Sequence, residues 1–286
     1  ICIWKDYCKE EAKKDGDLNI VNGIGMKRKE DFISIGINNI AELAESSPEE
    51  INQKLDISDE RNKRVAYQLV NQAKSQISGK VNRINLSKSI PEITSSTGVL
   101  IYDIESDPDE KLDFLHGFLR INRLNNNELD LANAIYEPIF TMSQNQEEVS
   151  WEQIKNKLIK FKDWPILHYG ETEIVSLIRM AKYYKASRSY INIINRNLVD
   201  VHSRIRKNWL FPVESYGLKT VANSINFNWT QENAEGSKAL LLWREWNDLD
   251  TREKSTSTKL KWILDYNKDD CLATFHVARW LLKYEQ

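Results

Sequence analysis

Residues 99–108, VLIYDIESDP, read as a buried β-strand, yet Asp103 and Glu105 stand where that strand should still be packed. Side chains alternate along a strand, so Asp103 and Glu105 share one face with Val99 and Ile101, and two carboxylates crowd at the strand's end. Like charges that close repel, and each carboxyl favours its neutral form unless something positive sits between them. A divalent cation with a taste for hard oxygen ligands, Mg²⁺ or Mn²⁺, does this best. The ordinary reading of an isolated Asp-x-Glu is a solvated strand end before the turn at Asp107-Pro108, so the metal reading needs support from elsewhere in the chain.

The text around this strand implies alternating elements. GVLIYDIE (98–105), LDFLHGFLRI (112–121) and ANAIYEPIFT (132–141) are strand-like runs separated by turn-rich sequence, and they suggest an antiparallel meander. After them come a helical pattern at 147–161, a short apolar strand WPILHY (164–169), a second helix at 171–184 and one more strand at NLVDVH (197–202). Further helical text at 218–225 and 237–246 leads to a long final helix at 258–284. Strands alternating with helices imply α/β packing. Ahead of this region the chain is helical in pattern through EDFISIGINNIAELA, with Ser47-Pro48 as a helix start. The Ser/Thr-rich stretch NLSKSIPEITSST, broken by Pro91, reads as a linker. Expected boundaries are a helical module over 15–84, a linker over 85–96 and an α/β domain over 97–286.

With 286 residues and a formal net charge of -2, the chain is not a uniformly basic coat for a polyanion, so any such contact must be local. Three cysteines make a poor disulfide framework and fit a reducing, cytoplasmic setting. No run of about 18 apolar residues occurs, so no membrane contact is expected.

The support for a metal comes from the final helix. YNKDDCLAT sets Tyr266 and Asp270 four residues apart, so a phenol and a carboxylate share one helical face. Between the two acidic sites, ILHYGETEIVSL breaks an apolar strand at Gly170 and opens a helix with Glu171 and Glu173 in its first turn, where acids also suit the helix dipole. Asp200, at a neighbouring strand end, is a candidate outer partner of the same acids. His168 and His202 fit no metal-ligand spacing and read as strand-end or core residues. Trp243, Trp246, Trp262 and Trp280, at helical spacing, read as core.

Between Arg179 and Lys219 there are nine Lys or Arg against two acids, enough for a surface that follows a phosphate backbone, with Arg204, Arg206, Lys207 and Lys219 as its candidates. Near the start, IVNGIGMKRKEDF places Gly23 and Gly25 around one apolar residue just before Lys27, Arg28 and Lys29. Glycines allow close backbone approach and leave helix-start N–H groups free for a phosphate, while the basic residues add charge without reading sequence. This is the hairpin of a helix-hairpin-helix; the competing reading is a purely structural tight turn.

In their order, Asp-x-Glu on a first strand, a carboxylate after a later strand and Tyr-x-x-x-Asp on a last helix resemble the DEDD exonucleases. These are the DnaQ-like branch of the RNase H-like superfamily, and the tyrosine marks one of its subgroups. IYDIESDP, HYGETE, FPVESYGLK and YNKDDCLAT are similar, more closely, to the RNase H-like domain that follows a RecB-like nuclease in a family of bacterial proteins. The resemblance covers about residues 97–286. It implies an RNase H-like mixed sheet flanked by helices, beside the small all-α helix-hairpin-helix domain. It also implies an acidic set of Asp103, Glu105, Glu173 and Asp270 holding two Mg²⁺ or Mn²⁺ ions, with Tyr266 positioning the attacking water. Glu173 departs from the family's usual Asp and reaches further. Cys2 and Cys8 resemble the end of the cysteine stretch that closes an iron-sulfur cluster in RecB-like nucleases. On that likeness residues 1–14 are the remnant of an upstream nuclease domain, part of a longer chain.

The expectation is thus a two-metal nuclease that trims nucleic acid, DNA rather than RNA, from the 3′ end. The rival is a non-catalytic nucleic-acid-binding module with the same fold.

Overall fold

The computed structural model describes residues 4–124, 128–232 and 234–284. In chain order it begins with α1 (Lys5–Lys14), α2 (Met26–Ser34), α3 (Ile40–Glu45), α4 (Pro48–Lys54), α5 (Glu60–Ser78) and β1 (Asn82–Arg83). It continues with β2 (Gly98–Asp107), β3 (Leu112–Asn122), β4 (Ile135–Phe140), α6 (Glu147–Lys160), β5 (Ile166–His168), α7 (Thr172–Tyr183), α8 (Arg188–Asn197) and β6 (Leu198–Asp200). The last elements are α9 (Val201–Asn208), β7 (Trp209–Leu210), α10 (Leu218–Ser224), α11 (Gly236–Asn247), α12 (Thr251–Thr256) and α13 (Lys259–Tyr284).

Two compact units result. One comprises 1–87 with 205–224, the other 88–204 with 225–286. In the first, side-chain oxygens cap the helices: Asn39 accepts from the Glu42 amide at the start of α3, and Asp59 accepts from the Asn62 amide at the start of α5. Each satisfies a backbone donor that the first helical turn leaves unpaired. Pro48 follows the Ser47 cap of α4, as expected. The helical pattern over 30–44 falls on two helices, α2 and α3, because Gly36 adopts a left-handed φ of +88° and Asn39 starts a new helix. Leu18, Phe32, Leu43, Ile51 and Leu69 form the core.

Residues 205–224, which the sequence reading placed in the 97–286 domain, belong to this helical unit. β7 pairs antiparallel with β1, Asn82 facing Leu210 and Arg83 facing Trp209. Buried Gln72 on α5 donates to the Phe211 carbonyl at 2.9 Å and accepts from the Tyr216 hydroxyl at 2.8 Å. A buried carbonyl outside any sheet needs such a donor, and Gln72 supplies it.

The second unit carries a five-stranded mixed sheet of order β4-β3-β2-β5-β6. β2, β3 and β4 form the expected antiparallel meander, while β5 runs parallel to β2 and β6 parallel to β5. One face packs on α6, α7 and α8 through Leu100, Tyr102, Phe118, Trp151, Leu158 and Met180. On the other, Leu115 packs with Trp243 and Trp246 of α11 and Ile263 of α13. Helices therefore cover both faces of a mixed sheet, the architecture expected from the alternating pattern. Trp243 and Trp246 are core, whereas Trp262 and Trp280 are only half-buried. Asp113 on β3 ties α7 to the sheet, accepting from Ser106, Ser176 and Arg179, and Arg179 continues to Glu147 of α6. That network fixes the helix that carries Glu173. Among the described residues, no helix is long and apolar enough to cross a membrane.

Candidate metal centre

β2 is central in the sheet, and alternation turns Asp103 and Glu105 toward α13, where Asp270 faces them. Each of the three offers a carboxylate oxygen, and these atoms lie within 4.8 Å of one another. Glu105 and Asp270 are buried and Asp103 is half-buried. Burial, then the neighbouring charges of Asp270, Glu105 and Glu173, push the Asp103 carboxyl well above the usual carboxylate range. Two neutral donors reach the cluster. The Asn267 amide donates to Asp103 Oδ2 at 2.7 Å, and the Trp229 indole donates to Asp270 Oδ1 at 2.7 Å.

Tyr266 is buried one turn before Asp270. Burial, then the charges of Asp270, Glu105 and Asp103 and a hydrogen bond to Asp270, push its phenol far above the ordinary range. A phenol that stays protonated aligns a partner but takes no proton from it. On the next residue but two, Asp269 accepts from both the amide and the hydroxyl of Thr230 at 2.7 Å, tying the loop that bears Trp229 to α13.

Glu173 is buried in the first turn of α7 and is not one of the three clustered carboxylates. Its Oε2 lies 3.6 Å from Nδ1 of buried His168, at the end of β5. Gly170, with φ +104°, makes the sharp exit from β5, and its amide donates to Asp200 at 3.0 Å. Asp200 thus shapes the turn that delivers Glu173. His202 packs against Tyr169.

The basic candidates divide. Gly23 has φ +98°, Gly25 starts α2, and Lys27 and Arg28 are exposed. Arg28 donates to the Gly23 carbonyl at 2.6 Å, and Lys29 pairs with Asp17 at 2.5 Å. Gly23, Arg28 and Arg206 line one groove of about 230 Å³. Lys207 is exposed and Lys219 half-buried. Arg204 is engaged instead within its own unit, donating to the Ser89 carbonyl at 3.1 Å and to Glu92 at 2.5 Å. Cys8 is an exposed free thiol, and Cys2 lies outside the described residues.

Sequence reasoning missed Trp229 and Asn267. Asn267 adjoins Tyr266 in YNKDD, but a polar residue inside a helix carries no local sign that tertiary packing will bury it. The site's chemistry is clear from its donors: three convergent carboxylates of hard oxygen, whose repulsion a divalent cation would relieve. A mixed sheet with helices on both faces and a carboxylate cluster at the end of its central strand defines an RNase H-like protein. A family model described as RNase_H superfamily matches residues 100–282, well over half the chain, and the chain belongs to that superfamily. No curated protein and no solved structure gives a significant match.

Proposed function

We propose that the chain is a divalent-metal-dependent nuclease that removes nucleotides from the 3′ end of DNA by a two-metal mechanism. The observation that carries this reading is the convergence of Asp103, Glu105 and Asp270, with Tyr266 one turn away on the same helix. Members of the superfamily are typically nucleases. The DEDD subgroup, the 3′ polarity and the preference for DNA rest on the order of the sequence motifs.

Bound at this cluster, Mg²⁺ or Mn²⁺ would stabilise the charge on the attacking and leaving oxygens of a phosphodiester. Asp103, Glu105 and Asp270 would hold the cations, and Glu173 would contribute from the edge of the cluster, directly or through a water. The protonated Tyr266 would align the attacking water rather than deprotonate it. In the helical unit, the turn at Gly23 and Gly25 with Lys27 and Arg28 would act as a helix-hairpin-helix that holds backbone phosphates, joined by Arg206, Lys207 and Lys219.

Digestion of oligonucleotides labelled at either end, as DNA and as RNA, with Mn²⁺, Mg²⁺ or EDTA tests the proposal. The expected result is stepwise, metal-dependent shortening of DNA from its 3′ end. Oligonucleotide binding without products under every metal condition would reject it in favour of a binding module.

A further inference from the structure

Behind the three carboxylates lies a side chain that the reading above does not use. Asn267, on α13, has no solvent exposure. Its Nδ2 donates to Asp103 Oδ2 at 2.7 Å and lies 3.4 Å from Glu105 Oε1, while its Oδ1 accepts from the Tyr136 hydroxyl of β4 at 2.8 Å. Chemistry fixes this orientation at both ends. In the ionised form that a bound cation would favour, carboxylates only accept, so the NH₂ end faces them, and the carbonyl end then needs a donor. Tyr136 is a durable one, because burial pushes its phenol far above the range in which it would lose its proton. The space is made by Gly117 on β3, which sits directly opposite Asp103 in the register. A Cβ at Gly117 would fall 1.7 Å from Asn267 Oδ1, so no other residue leaves the amide where it is.

The residue type is informative. A lysine here would neutralise the pair and compete with a cation for the site. A leucine of similar size would take the amide donor away from Asp103 and Glu105 in a poorly solvated place, at the cost of a lost buried hydrogen bond. A neutral amide shared between them offsets part of their repulsion while leaving the negative charge in place.

We infer that Asn267, held by Tyr136 and given room by Gly117, is a positioning residue that sets the separation and orientation of Asp103 and Glu105 for divalent-cation binding. The inference rests on the metal-dependent reading of the same cluster. Asn267 acts through the carboxylates, as the outer hydrogen-bond partners of metal ligands do in general, where their loss costs about 10- to 100-fold in metal affinity.

The test is a Mn²⁺ titration of the full chain followed by electron paramagnetic resonance, on wild type, Asn267→Ala, Tyr136→Phe and the double variant. Asn267→Ala should bind Mn²⁺ about 10- to 100-fold more weakly, with an altered spectrum for the bound ion. Tyr136→Phe should weaken binding in the same sense but less, and the double variant should be no weaker than Asn267→Ala alone. A merely structural amide would lower the melting temperature and leave affinity and spectrum untouched, and that result in folded variants overturns the inference. Additive losses in the double variant would equally overturn the relay through Tyr136. If Asn267→Ala does not fold, Tyr136→Phe decides, since it removes only one hydroxyl. Should wild type itself take up no Mn²⁺, the metal-dependent reading fails and the inference falls with it, a pattern distinct from strong wild-type binding that the variants leave unchanged.

Discussion

His116 lies on β3 with no solvent exposure, its Nδ1 2.8 Å from the Tyr102 hydroxyl. Burial holds its imidazole down at about 4, against an ordinary 6.5; Asp113 and Glu147 favour the proton, Arg179 opposes it, and burial outweighs them all. Because the folded pKa is depressed, the unfolded chain takes up the proton first, so the stability from a neutral His116 is complete above about pH 6.5 and drains away as pH falls toward about 4. At about 1.4 kcal/mol per pH unit, the gap between 6.5 and about 4 is worth about 3 kcal/mol. Most of this should be gone by about pH 4.5. His116→Gln keeps a polar group beside Tyr102 and removes the titration. Urea unfolding of both proteins, followed by tryptophan fluorescence from about pH 7.5 to about pH 4.5, isolates the histidine, because the other titrating groups largely cancel in the difference. Wild type should lose roughly 2 to 3 kcal/mol more than the variant over that range. Parallel losses in the two proteins would show that His116 is not held neutral, and the reasoning from its burial would be refuted.

Other outcomes follow from the same geometry. Asp270→Asn keeps the shape but removes a charged ligand, so several kcal/mol of transition-state stabilisation should vanish and oligonucleotide digestion should become undetectable; near-normal turnover would leave Asp270 without a metal role. Tyr266→Phe should cost a factor of about 10² to 10⁴ in turnover yet still bind Mn²⁺, which steady-state digestion paired with a metal titration would check. Mn²⁺ at about 100 times its Kd should stabilise wild type by about 2.7 kcal/mol in thermal melts, and leave an Asp103→Ala, Asp270→Ala double variant unmoved. Gly117→Ala forces a Cβ to 1.7 Å from the Asn267 amide, so it should destabilise the fold by about 1 to 3 kcal/mol in urea unfolding; an unchanged midpoint would mean that the amide moves freely.

Much of the site was already legible in local pattern. The period of two along GVLIYDIE put Asp103 and Glu105 on one face, and the i, i+4 spacing in YNKDD put Tyr266 beside Asp270, because both periodicities are properties of the backbone alone. The same reasoning separated strands from helices and so gave the α/β architecture. Whatever depended on distant partners was not written locally. Arg204 looks like any basic surface residue until its folded contacts with Ser89 and Glu92 appear. Residues 205–224 carry no linker signal at either end, yet their backbone finds its partners in Gln72 and β1. Glu173 shares the helix-start signature of any acid, and only the fold sets it beside His168. Asn267 shows the limit most clearly: its partner Asp103 is 164 residues away and Tyr136 is 131. Periodicity tells which face a side chain occupies, while the partner it meets there depends on how the strands and the last helix pack, and that was decided by the tertiary structure alone.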